Sequence, residues 1–146
     1  GVDSLQKKGM PLQINIDFAV GDFDSSLVYW NPMMGQGYLK NPFPSAERLY
    51  PVEMEACVDK TYRLEIDLPA GYVAEEIPKP LVMKLNEKGD ASFEYKIVQT
   101  GDHLSLLTRT IIKRTFFQPA EYEMLREFFS LVVKKHAEQI VFKKKP

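Results

Sequence analysis

The strongest constraint on the fold is a period of two that returns along most of the chain. In MPLQINIDFAV, residues Leu12, Ile14, Ile16, Phe18 and Val20 alternate with Gln13, Asn15, Asp17 and Ala19, as a strand with one buried face requires. In RLYPVEMEACV, Tyr50, Val52, Met54, Ala56 and Val58 share one face, while Glu53, Glu55 and Cys57 take the other. TYRLEIDL places Tyr62, Leu64, Ile66 and Leu68 inward and Arg63, Glu65 and Asp67 outward. With Asp59 and Lys60 read as a short connection, these two runs predict an antiparallel hairpin. GYVAEEI, PLVMKLN, ASFEYKIVQ and HLSLLTRTIIKRTFF read as further strands. The joins NEKGD and QTGD carry Gly89 and Gly101 for tight turns, and Pro69, Gly71, Pro78 and Pro80 punctuate earlier ones.

One segment has a different period. QPAEYEMLREFFSLVVKKHAEQ carries Pro119 at a first-turn position, Glu121 and Glu123 early, and Lys134, Lys135 and His136 late, a charge order that suits the helix dipole. Leu125, Phe128, Phe129 and Val132 form an i, i+3, i+4, i+7 stripe that wants to cover a sheet. IVFKK then reads as a short strand that could join a sheet edge. The stretch from Gly21 to Pro51 is less regular and predicts a long connection across the fold, ordered by Tyr38, Phe43 and Tyr50. Many short strands with turn signals and no intervening helices predict a mainly β domain: an antiparallel β-sandwich, immunoglobulin-like or related, with one C-terminal amphipathic helix, residues 119–137, packed on a sheet. A chain of 146 residues fits a single domain.

Composition narrows the function classes. Hydrophobic residues at 45 % and charged residues at 27 % describe a globular chain. A net charge of −1 gives no pull toward nucleic acid. The basic tail VFKKKP reads as a solvated end. No apolar run reaches the roughly 18 to 20 residues of a membrane span, and the start GVDSLQKKGMP lacks a signal peptide's apolar core. Gly1 reads as a scar of tag removal, so the chain is expected to be an excised piece.

Candidate chemistry is sparse. Cys57 is the single cysteine and cannot form an internal disulfide. A nucleophilic thiol needs a nearby cation, histidine or helix N-terminus. Here the neighbours Glu55 and Asp59 are acidic and the pattern is a strand, so Cys57 reads as a structural thiol. Cys57, His103 and His136 lack zinc spacing. Asp22 and Asp24 with Ser25 and Ser26 read as a turn rather than a calcium loop. Glu53 with Glu55 and Glu65 with Asp67 fit the solvated faces of strands. No metal or cofactor is expected. Tyr29, Trp30 and Tyr38, in the least regular stretch, are the candidate ligand-binding residues, as a platform for a sugar or a peptide.

NPF at Asn41 to Phe43, ERLYPVE at Glu47 to Glu53, TYRLEIDLPAGY at Thr61 to Tyr72, EEIP, and PAEYEMLREFFSLVVKKHAEQIVF at the end together resemble the C-terminal domain of unknown function of bacterial transglutaminase-like proteins. The resemblance covers residues 27–144, and residues 1–26 read as an N-terminal strand and lead-in from an upstream domain. In that family the domain follows an N-terminal β domain and a transglutaminase core that holds the Cys, His and Asp triad; none of the triad has a counterpart here. The resemblance implies a non-catalytic accessory domain, not an enzyme, that packs against the transglutaminase-like domain of the same polypeptide, with a protein or glycan as a further ligand. It also implies a periplasmic or cell-surface location. The isolated domain is expected to be a monomer without nucleic-acid partners or membrane insertion. The rival reading is a free-standing β-sandwich module that binds a peptide or polysaccharide.

Overall fold

Alternation is realised most fully in three ten-residue strands, which make up most of one sheet. The computed structural model describes residues 2–3, 11–19, 21 and 23–146. In chain order the strands are β1 (Val2–Asp3), β2 (Gln13–Ile14), β3 (Leu27–Trp30), β4 (Val52–Glu53), β5 (Val58–Asp67), β6 (Tyr72–Glu76), β7 (Leu81–Lys84), β8 (Ala91–Thr100), β9 (His103–Ile112), β10 (Phe116–Phe117) and β11 (Ile140–Lys144). The helix α1 (Tyr122–His136) lies between β10 and β11. The larger sheet has the order β5-β9-β8-β7 and the smaller β3-β11-β6, with the short pairs β1-β2 and β10-β4 beside them. All pairings are antiparallel.

Register sets the core. Leu64 lies opposite Leu106 and Leu106 opposite Ile97; Tyr62 lies opposite Thr108 and Thr108 opposite Tyr95. These rows form a single inward face, because directly opposed residues share a side of the sheet. That face is covered by α1, whose Leu125, Phe128, Phe129 and Val132 are buried in the same apolar cluster as Phe93, Tyr95 and Leu104. The smaller sheet adds Tyr72, Ile140 and Phe142, with Val28, Trp30 and Ala74 packed against them. The result is mainly β, two antiparallel sheets in a sandwich-like arrangement with one helix near the C-terminus.

The β8 to β9 hairpin closes through Gly101 and Asp102, with Thr100 opposite His103. Gly101 has φ of 62°, and it occupies the first loop position, where a two-residue II′ turn calls for glycine. Ahead of the helix, Pro119–Glu121 forms a 3-10 turn in place of the first helical turn. The Glu121 carboxylate accepts the Gln118 backbone N–H at 2.8 Å and pairs with Arg114, which satisfies a donor that helix geometry leaves free.

Two Asn-Pro dipeptides fasten the long connection to α1. Asn31 Oδ1 accepts the Met33 N–H at 2.8 Å while its Nδ2 donates to the His136 carbonyl at 3.0 Å. Asn41 repeats the arrangement: Oδ1 accepts the Phe43 N–H at 2.9 Å, and Nδ2 donates to the Arg126 carbonyl at 2.8 Å. Each side chain bends its own backbone into an Asx turn and ties that turn to the helix. Phe43 is thereby buried against Phe129 and Tyr122.

Six expectations are corrected. No hairpin turns at Asp59 and Lys60; both are inside β5, opposite Ile111 and Thr110. A two-residue turn there would have set Cys57 opposite Tyr62 on one face, against the inward set Val58, Tyr62 and Leu64, whereas a continuous strand keeps those three in phase. Residues 12–18 do not form a half-buried strand. Among the described residues Gln13–Ile14 pairs, with the two-residue β1, and Leu12, Ile14, Ile16 and Phe18 remain 58 %, 59 %, 70 % and 40 % exposed, since no layer of the described residues covers them; Val20 lies outside the described residues. β11 is the middle strand of its sheet rather than an edge. The irregular stretch contains β3, and Tyr50 is exposed rather than an anchor. The long run 103–117 breaks after Ile112.

Phe142 is 1 % exposed and its ring stands 6.2 Å from Phe23 and 6.1 Å from Trp30. Phe142→Ala should lower unfolding free energy by about 3–5 kcal/mol in urea titrations, whereas Val82→Ala, at an exposed β7 position, should change it by no more than about 0.5 kcal/mol.

Candidate functional site

The residues proposed as a ligand platform do not share a surface. Tyr29 and Trp30 are neighbours on β3 and therefore face opposite sides. Tyr29 is exposed, and Trp30 is half-buried against Phe142. Tyr38 packs edge-on to Phe129 at 5.2 Å and parallel to the His136 ring at 6.1 Å. Trp30 and Tyr38 are thus committed to packing, which leaves Tyr29 open to solvent.

Cys57 lies just ahead of β5, not on the strand, and is exposed. Its Sγ donates to the Lys113 carbonyl at 3.2 Å. His103 is opposite Asp67 at the far end of β5, about 30 Å away along a ten-residue strand. Among the described residues no His, Cys, Asp and Glu cluster is arranged to hold a metal ion.

Polar chemistry gathers instead at the far end of β5. An open cleft of about 360 Å³ runs between Ile16, Asp17 and Phe18 on one side and Glu65, Ile66, Asp67 and Pro69 on the other. Beside it His103 holds Asp67 through Nδ1 at 2.9 Å and Glu65 through Nε2 at 2.8 Å. Ser105 Oγ donates to the other Glu65 oxygen at 2.8 Å. The residue types invite comparison with a hydrolytic triad, but the order is wrong. A triad needs an imidazole nitrogen free to take the serine proton, and here carboxylates occupy both nitrogens while the serine faces Glu65. The hydrogen bonds to Asp67 and then Glu65 raise the His103 pKa above its usual value. The cluster is a charge-balancing network across a solvated sheet face.

The second histidine has the opposite environment. His136, in the last turn of α1, is buried; its Nδ1 accepts the Tyr38 N–H at 3.0 Å, and its ring meets Phe93 edge-on at 5.2 Å. Burial first, then the Lys60 charge, push its pKa down to about 4. A Cβ on Gly37 would sit 2.7 Å from Nδ1, so glycine is what lets the connection close on this ring. None of these partners is near His136 in sequence: Asn31 is 105 positions away and Tyr38 is 98. Two glycines around Gln36 and the Asn-Pro pair were the only signals in the sequence of a tight, fastened loop.

The fold defines a helix-covered antiparallel β domain. The model of the family described as a domain of unknown function with solved structure, DUF3858, matches residues 26–142. The chain belongs to that family. A search of curated proteins finds no match. Among solved structures, a protein from Parabacteroides distasonis ATCC 8503, described as a candidate protease, matches with a TM-score of 0.57 and 14 % identity. The match covers 68 % of this chain and 19 % of that one; at this identity it shows the fold alone, and this chain spans about a fifth of that protein's length.

The histidines should be distinguishable by sign. For His136 the folded pKa, about 4, lies below the ordinary 6.5, so the unfolded chain takes the proton first. Stability should fall by up to about 3 kcal/mol as pH drops from 6.5 to 4, and His136→Gln should remove that part of the slope in urea titrations. The stabilisation from His103 is complete below 6.5 and is lost as pH rises through its raised value. Gly37→Ala should cost about 1–3 kcal/mol by overpacking against the imidazole.

Proposed function

We propose that this domain is a non-catalytic accessory module of a longer polypeptide, seated against a neighbouring domain that it supports. The observation that carries the reading is the exposed set Leu12, Ile14, Ile16 and Phe18. Alternation of that regularity is the pattern of a strand with a buried face, and here the apolar face meets solvent; apolar surface of this kind marks an interaction site. Two further features favour docking over ligand capture: Trp30 is turned toward the core, and both ring nitrogens of His103 are engaged by carboxylates. The solved structure of similar fold places such a domain in a much longer chain.

The sequence resemblance supplies the neighbour: a transglutaminase-like core in a bacterial protein exported to the periplasm or cell surface, with the reactive thiol in that core rather than at Cys57. On this reading the domain is a monomer that stabilises the core or shapes access to it. A second reading, a free-standing module for a peptide or glycan, rests on the exposed ring of Tyr29.

The test replaces Ile14 and Ile16 by serine and offers the neighbouring core in trans. Because both side chains are exposed, the isolated domain should keep its stability to within about 0.5 kcal/mol, while calorimetry should show binding to the core weakened about tenfold or more. Undiminished binding by the double variant would remove the docking reading. Binding of cell-wall glycan that Tyr29→Ala abolishes, with no affinity for the core, would establish the second.

A further inference from the structure

Two buried polar atoms lack a hydrogen-bond partner among the described residues: Nε2 of His136 and Oγ1 of Thr108, in residues 5 % and 3 % exposed. Unpaired buried polar atoms are rare enough to need an explanation. Both residues line one small half-open pocket of about 10 Å³, together with Tyr38, Tyr62, Thr110 and the exposed Lys60. That volume suits a single water and nothing larger.

The hydrogen-bond roles are fixed by what is already made. Nδ1 of His136 accepts from the Tyr38 N–H, so the proton of the neutral ring is on Nε2, a donor in need of an acceptor. Thr108 stands between Tyr62 and Tyr95 on the inner face of the larger sheet, too deep for its hydroxyl to reach bulk solvent. The Tyr62 hydroxyl already donates to the Pro32 carbonyl at 3.0 Å, and Lys60 Nζ donates to the Gln36 carbonyl at 3.0 Å. A small cation is disfavoured, since the only formal charge on the lining is the positive Lys60.

We propose that this cavity binds one ordered water, which accepts the Nε2–H of His136 and hydrogen-bonds Thr108 Oγ1, joining the end of α1 to the middle of β9. The bridge accounts for a threonine where a valine would fill the same space. It also completes the fastening of the helix end, whose backbone carbonyl and Nδ1 are held by Asn31 and Tyr38.

Thr108→Val tests the bridge by the sign of its effect. Valine keeps the shape and deletes the hydroxyl: with a bound water, the variant loses a hydrogen bond and its unfolding equilibrium constant should rise about fivefold or more. In a dry cavity the same change removes a stranded hydroxyl, and the variant should be as stable as the parent or more so. In the unmodified protein, nitrogen-edited NMR should show the His136 proton on Nε2 with a cross-relaxation peak to a long-lived water. This measurement decides the matter if the variant does not fold. Equal or greater stability of Thr108→Val, or no water contact at Nε2–H, overturns the proposal.

Discussion

A sheet with one apolar face is stable only when another element covers that face. In the larger sheet β5, β9 and β8 turn a largely apolar set of Leu, Ile, Phe and Tyr side chains to one side, with the buried Thr108 and Thr110 among them, and the sheet's own sequence contains nothing to shield them. The shield is α1 together with the smaller sheet. Its fit depends on where the helix ends: Asn31 takes up the His136 carbonyl, Tyr38 takes up the ring nitrogen, and Gly37 leaves room for both. Asn41 performs the same service a few turns earlier. The two Asx turns thus convert a stretch poor in regular structure into a strap of defined course.

Strand existence was legible wherever alternation and burial coincided. β6, β7, β8, β9 and β11 lie where the runs GYVAEEI to IVFKK put them, and the helix stripe from Leu125 to Val132 faces the core as its spacing requires. Connectivity was less legible, because a period of two says that a residue is in a strand and not which strand is beside it. Asp59 and Lys60 look like a turn by composition, yet ten consecutive ladder partners on β9 hold them in line. The row from Leu12 to Phe18 shows the converse limit. Periodicity reports which side chains could be buried together, and burial still requires something to lie on them.

Histidine carries the plainest lesson about sites. His103 and His136 are the same residue type, and although the sequence places one at a turn and the other near a helix end, it does not name the partners of either. One ends up between two carboxylates on a wet surface and holds its proton more firmly; the other is closed in by Phe93, Tyr38 and a backbone N–H and gives its proton up. The difference is made by register and by loop closure over long separations, which is information that a single sequence does not display. Cys57, read from its acidic neighbours as a structural thiol on a strand, lies exposed just ahead of β5.

The place of β11 has a bearing on how the molecule assembles. It is the last strand in the order of the chain and yet the centre of its sheet, hydrogen-bonded to β3 on one side and β6 on the other. On the ribosome both of those partners emerge earlier and must wait, edges unpaired, until β11 arrives between them. Such distant contacts raise the contact order and retard folding, and an open strand edge is the surface most prone to wrong pairing in the meantime. The smaller sheet is therefore the late-forming half of the fold, and a nascent chain stalled before Ile140 would carry two waiting edges and the uncovered inner face of Tyr72.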